Sequence, residues 1–200
     1  DMLSEKLNIP EPIKWFREKI ADSANDVSFM DRTRIAITHG DLHGDNLLVD
    51  NQKNVWVIDF ERCGEGPILQ DFVELEADII NRLEEHNDNF PAYYKMCLTV
   101  LRQKMIQGFD ASDTISENPR IEKALRTIST LRSLALQYGK TTDAREYLYG
   151  LLFNMMFRAA MIYKTNPEAN QRSLLLLAGL TCHRLDHWET PWPPAEIDLP

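Results

Sequence analysis

The stretch from Arg34 to Glu61, RIAITHGDLHGDNLLVDNQKNVWVIDFE, restricts the fold more than any other part of the chain. Its apolar residues come in runs of three or four: Ile35 to Ile37, Leu47 to Val49 and Val55 to Ile58. Runs that short and rich in β-branched residues read as strands rather than helices. The polar loop HGDLHGDN, His39 to Asn46, separates the first two, and Asp50–Asn51 is a turn signal between the second and third. The expected order is strand, polar loop, strand, turn, strand, with VWVIDF as a buried strand.

From Asp71 onward the period changes. Phe72, Leu75, Ile79 and Leu83 fall at helical spacing, and PAYYKMCLTVLRQKMIQGF continues as a second helical stretch. A third runs from Pro119 to about Tyr138 and is ended by Gly139. Residues 142–163 and 167–188 make two more, split by Asn166–Pro167. Residues 1–27 also read helical, with EPIKWFREKI as an amphipathic piece and Pro12 suited to a first turn. The proline-rich tail TPWPPAEIDLP should lie extended and packed. The layout is one domain over residues 1–200: a small β unit (28–70), a helical subdomain (71–188) and an extended tail (189–200). A short β element joined to helices is an α+β fold, mainly helical, and not a doubly wound sheet.

Composition removes several functions. A formal net charge of −9 argues against a nucleic-acid surface, which needs clustered Lys and Arg. It leaves a nucleotide site open, because a metal ion can offset acidic ligands. The three cysteines, Cys63, Cys97 and Cys182, are widely spaced and form no CxxC pair, so neither a disulfide framework nor a zinc cage is expected. Reduced thiols fit a cytoplasmic protein. No stretch approaches the ~18 apolar residues of a membrane span. The opening DMLSEKLNIPEPIKWF has no apolar core of a signal peptide. Because it starts at Asp1, the chain is expected to be cut from a longer protein.

The polar loop carries chemistry-bearing residues at defined spacing. Asp41 sits in mid-loop, where a carboxylate can accept a proton from a hydroxyl. Asn46, five positions on, can offer an amide oxygen to a hard cation; Asp59, eighteen positions after Asp41, follows the apolar run and suits a Mg²⁺ ligand. An Asp, an Asn five residues later and an Asp after a hairpin is the phosphoryl-transfer arrangement of the protein-kinase fold.

HGDLHGDN resembles the HGDxHxxN catalytic loop of the aminoglycoside phosphotransferase and choline-kinase-like superfamily, and VWVIDFE its metal-binding segment. The resemblance is carried by residues 36–76. It implies the C-terminal lobe of a protein-kinase-like fold that uses ATP and Mg²⁺ to phosphorylate a hydroxyl-bearing acceptor. It implies Asp41 as general base or hydroxyl-orienting residue, and Asn46 and Asp59 as Mg²⁺ ligands. It implies His39 as a brace between the loop and the Asp59 segment, His43 as a shaping residue, and Asp71 as the tie for the catalytic loop. For Asp71 a helix N-cap is the other reading. The glycine-rich loop and the Lys–Glu pair of an N-terminal lobe are absent before His39, so the ATP-clamping residues are expected upstream in a parent protein. The run FERCGEGPILQDFVELEADI is also similar to ternary-complex-associated domains of multidomain bacterial signalling and conflict proteins. That resemblance carries the alternative of a weak or inactive regulatory module.

Three further readings compete. GDLHG resembles the first block of dinuclear metallophosphatases, but the later GDxxDRG and GNHE-like blocks do not occur. His183 and His187 are four apart on a helix; with no third ligand nearby they read, like His86, as helix-surface histidines. The acids Glu74, Glu76, Asp78, Glu84 and Glu85 form either a solvated helix face or a surface suited to a cationic acceptor.

Overall fold

The computed structural model describes residues 8–22, 33–83, 90–110, 118–161 and 168–194. Residues 1–7 and 23–32, the acids Glu84 and Glu85, His86, the Asn166–Pro167 break and tail residues 195–200 lie outside them.

Helix α1 (Pro12–Phe16) starts on Glu11, whose carboxylate accepts from the amides of Ile13 and Lys14. It continues into a π-helical turn, Arg17–Ala21. Trp15 is buried and donates from Nε1 to Asp186 at 2.8 Å, which fastens α1 to the last helix.

The β unit has four short strands: β1 (Ile35–Thr38), β2 (Leu47–Val49), β3 (Val55–Val57) and β4 (Gly64–Pro67). The strands β2 and β3 form the expected antiparallel hairpin, with Leu48 opposite Trp56. The first strand does not join them. It pairs antiparallel with β4, Thr38 opposite Gly64 and Ile35 opposite Pro67. The sequence GEGP does not read as a strand, because glycine and proline signal turns. Here Gly66 allows the approach: a Cβ there would lie 2.6 Å from Gln70 Oε1 and 2.8 Å from Thr38 Oγ1.

The expectation of a buried third strand is corrected. Val55 and Trp56 are 62% and 59% exposed, and Ile35, Ile37, Leu48, Val49, Ile58 and Phe60 are exposed as well. A two-stranded ribbon cannot shield its own faces. The unit therefore shows an apolar surface of the kind that marks an interaction site.

The remainder is helical: α2 (Gln70–Asn81), α3 (Phe90–Val100), α4 (Pro119–Gly139), α5 (Ala144–Met161) and α6 (Glu168–Asp186). Helix α2 packs on α4 and α5, and α5 packs along α6. Leu125, Ile128, Leu148, Leu151, Leu152, Leu177 and Leu180 are fully buried between them. Each such side chain contributes roughly 1.5–3 kcal/mol. The fold is α+β, mainly helical, with two small antiparallel sheets. Among the described residues no helix is long and apolar enough to cross a membrane.

Helix α3 is shorter than its apolar pattern predicts. After Val100 the chain turns away, and Ile106 donates to Thr142 O while Ala144 donates to Lys104 O. Two arginines claim carbonyls at the break: Arg132 Nη1 donates to Val100 O at 2.6 Å and Arg184 Nε to Leu101 O at 3.1 Å. Those carbonyls are satisfied without another helical turn. The histidine reading is also corrected in part: His183 is buried and stacks on the exposed His187 at 4.2 Å. Trp188 and Trp192 flank the Arg184 guanidinium at 4.6 and 5.4 Å, so this part of the tail is packed.

One buried ion pair joins four helices. Arg132 (α4) donates from Nε and Nη2 to the two carboxylate oxygens of Glu76 (α2) at 2.9 and 2.6 Å. Tyr147 (α5) donates its hydroxyl to Glu76 Oε2 at 2.7 Å, and Val100 belongs to α3. Burial, followed by the Glu76 charge, pushes the Tyr147 hydroxyl well above its usual range, so it remains a donor at neutral pH. Arg132→Met should therefore lower the unfolding free energy by about 3–5 kcal/mol, because it strands a buried carboxylate. Urea denaturation checks this, and adding Glu76→Leu should recover part of the loss.

Candidate active site

The loop His39–Asn46 runs from β1 into β2 and closes with a 3₁₀ turn, Gly44–Asn46. Gly40 has φ +78°, and a Cβ there would lie 2.5 Å from Arg62 O, so only glycine fits.

Backbone amides of this loop find carboxylates on α2. His39 and Gly40 donate to Asp71 Oδ2 and Oδ1 at 2.8 and 3.0 Å. Leu42 donates to Glu74 Oε2 at 2.9 Å, and Gly44 to Asp78 Oδ2 at 2.7 Å. Asp71 is not the N-cap of α2; that position is Leu69, and the Asp71 carboxylate is taken by the loop. The acids of α2 are likewise neither a solvated face nor a free acidic surface. Glu74 and Asp78 hold loop amides, and Glu76 belongs to the buried pair. Sequence reasoning missed this use. The signal was the spacing of residues 71, 74 and 78, which places three carboxylates on one helix face.

Asp41 is half-buried. Its carboxylate lies 3.6 Å from Arg62 Nη1 and 4.0 Å from His43 Nε2. His43 Nδ1 is 3.8 Å from Asp45, and the hydrogen bond and charge of Arg82 hold the Asp45 carboxyl below its usual range. Asn46 is buried; its Nδ2 donates to Asp41 O at 2.9 Å and lies 3.3 Å from His43 Nε2. A carbonyl partner requires the NH₂ to point there, which leaves the amide oxygen for another role.

His39 Nε2 lies 2.9 Å from Ile58 O, and its ring is 5.1 Å from Phe60. Ile58 in turn donates its amide to Asn46 O at 3.1 Å. These contacts tie the loop to the segment that carries Asp59. Asp59 itself is exposed and left-handed, φ 63° and ψ 64°, a conformation in which aspartate is enriched. Among the described residues its carboxylate makes no hydrogen bond or ion pair, so it is available to a ligand.

No group of three or more His, Cys, Asp or Glu able to hold a metal occurs among the described residues. That excludes a metal cage made by such side chains alone within those residues. One amide oxygen and one carboxylate fit Mg²⁺ differently, because this ion commonly takes one or two carboxylates and completes its shell with phosphate oxygens and water.

The sequence pattern of ternary complex associated domain 9 matches residues 2–156. Among curated proteins, the 3-deoxy-D-manno-octulosonic acid kinase of Vibrio vulnificus (strain CMCP6) is 31% identical over 68 residues, covering 32% of this chain and 29% of that protein. The protein of the same name from Photobacterium damsela subsp. piscicida is 26% identical over 94 residues, covering 31% of this chain and 39% of that protein. The matches therefore span well under half the length of either relative. No solved structure matches.

Gly40→Ala tests the loop geometry. It forces a Cβ into the Arg62 carbonyl in left-handed backbone and should cost about 1–3 kcal/mol of stability. An unchanged urea midpoint would show that the loop is not held as described.

Proposed function

The chain belongs to the ternary complex associated domain 9 family, and on that premise we propose that it is the C-terminal lobe of a protein-kinase-like phosphotransferase. The proposed reaction moves the γ-phosphoryl group of ATP to a hydroxyl of a small acceptor, in the manner of aminoglycoside phosphotransferases and choline kinases. The observation that carries this reading is the state of three side chains on one braced loop system. Asp41 is half-buried between clamped amides, Asn46 keeps its amide oxygen free of the inward hydrogen bonds, and Asp59 is exposed. The partial likeness to two proteins named as kinases supports phosphoryl transfer.

In this reading Asp41 orients the acceptor hydroxyl and takes its proton as the hydroxyl oxygen bonds to phosphorus and ADP leaves. Asn46 and Asp59 would hold Mg²⁺, which supplies charge compensation on the phosphate oxygens. His39 keeps the loop and the Asp59 segment together through Ile58 O. His43 shapes the loop around Asn46. Asp71 sets the start of the loop through two amides.

The residues that clamp ATP belong to an upstream lobe in this reading. The exposed apolar surface of Ile35, Ile37, Leu48, Val49, Val55, Trp56 and Phe60 supports a further domain seated on the β unit.

In the full-length protein, Asp41→Asn should lower turnover by about 10²–10⁴, the usual range for losing a general base. Undiminished phosphotransfer would remove Asp41 from that role. Asp59→Asn should abolish Mg²⁺-dependent ATP binding in calorimetry while the urea midpoint stays put. Unfolding of this variant would make Asp59 structural instead.

A further inference from the structure

Helix α2 grips the loop at more places than Asp71. Along the loop the amides of residues 39, 40, 42 and 44 all donate to carboxylates of α2. Asp41 lies between two of these clamped amides. Its following neighbour, Leu42, donates to Glu74, whose other oxygen accepts from Gln70 Nε2 at 3.1 Å.

Asp78 acts further along. Its side chain is 5% exposed, and its Oδ2 accepts from both the Gly44 amide and Arg82 Nε, each at 2.7 Å. Arg82 Nη2 reaches back to Asp45 at 2.7 Å. The 3₁₀ turn that presents Asn46 is therefore held at two consecutive residues, by the amide of one and the carboxylate of the next. Arg158 Nη1, 3.4 Å from Asp78 Oδ1, completes the charge balance. Hydrogen bonds from amides to ionised carboxylates are roughly twice as strong as neutral ones.

We propose that Glu74 and Asp78 are positioning residues for the phosphoryl transfer inferred above, on which this inference rests. Glu74 fixes Asp41 through the Leu42 amide, and Asp78 fixes Asn46 through the Gly44 amide. The two carboxylates thus govern different halves of the site: Glu74 the proton-accepting group, Asp78 the ligand to the metal–nucleotide complex.

The test is steady-state turnover of Mg²⁺-ATP by the full-length protein, with amide hydrogen exchange at Leu42 and Gly44 read alongside. Glu74→Ala lowers kcat about tenfold or more and leaves the KM for Mg²⁺-ATP within about twofold, the effect of losing one charge-assisted hydrogen bond next to the base. Glu74→Gln keeps an acceptor oxygen and restores most of the rate. Asp78→Ala raises the KM for Mg²⁺-ATP about tenfold with a smaller change in kcat.

Asp78→Ala also leaves Arg82 and Arg158 without their carboxylate, so Gly44→Ala serves as its companion. That methyl would lie 3.1 Å from Asp78 Oδ2 and presses on the same contact with every charge in place. It should raise the KM in the same direction. Parallel loss of kcat and KM in both sets of variants, or unchanged exchange at Leu42 in Glu74→Ala, overturns the assignment. A wild-type protein that binds Mg²⁺-ATP without turning it over refutes the phosphotransfer reading alone. Calorimetry then decides the positioning claim: weaker binding in Gly44→Ala but not in Glu74→Ala supports it, and equal binding in all variants overturns it.

Discussion

The candidate loop is referenced to helix α2, and α2 is tied to α4 by the buried pair Glu76–Arg132. Two opposite charges removed from water are costly unless every donor and acceptor is used. Here the guanidinium spends two donors on Glu76 and one on Val100 O, and Tyr147 adds a third hydrogen bond to the carboxylate. These partners cross-link α2, α3, α4 and α5. A core of leucines and isoleucines alone would hold these helices together with less control over their rotation and register.

The opposite face of α2 transmits that orientation to the loop. Asp71, Glu74 and Asp78 meet four amides of the segment between β1 and β2, so the loop follows the helix. A loop of this kind has backbone donors that no sheet or helix satisfies. Carboxylates on a rigid element supply the partners and keep the loop from relaxing into an ordinary turn. The proposed chemistry at Asp41, Asn46 and Asp59 thus depends on a charge cluster that touches none of the reacting atoms. Several of the negative charges in a −9 chain are used internally in this way.

The β unit stands in contrast to the helical part. Its strands pair two by two, and their apolar side chains face outward. Two surfaces of different character therefore meet at the loop. One is a packed helical base that sets geometry, and the other a strand unit whose apolar side chains are exposed.

By itself the sequence determined the class of fold, the hairpin between Leu47 and Val57, the helices after Asp71 and the loop of candidate residues. All of these follow from local rules: side-chain period, turn residues and the spacing of Asp41, Asn46 and Asp59. Only the tertiary structure decided that GEGP pairs with β1, that α3 stops at Val100, that His183 is buried and that VWV is exposed. It also decided the use of Glu74, Glu76 and Asp78, acids that look alike in sequence. Their roles depend on what faces each side of α2: loop amides on one side, Arg132 and Tyr147 on the other. Those partners lie 32 to 71 residues away along the chain. No local pattern encodes contacts at that separation; they exist once the helices have packed.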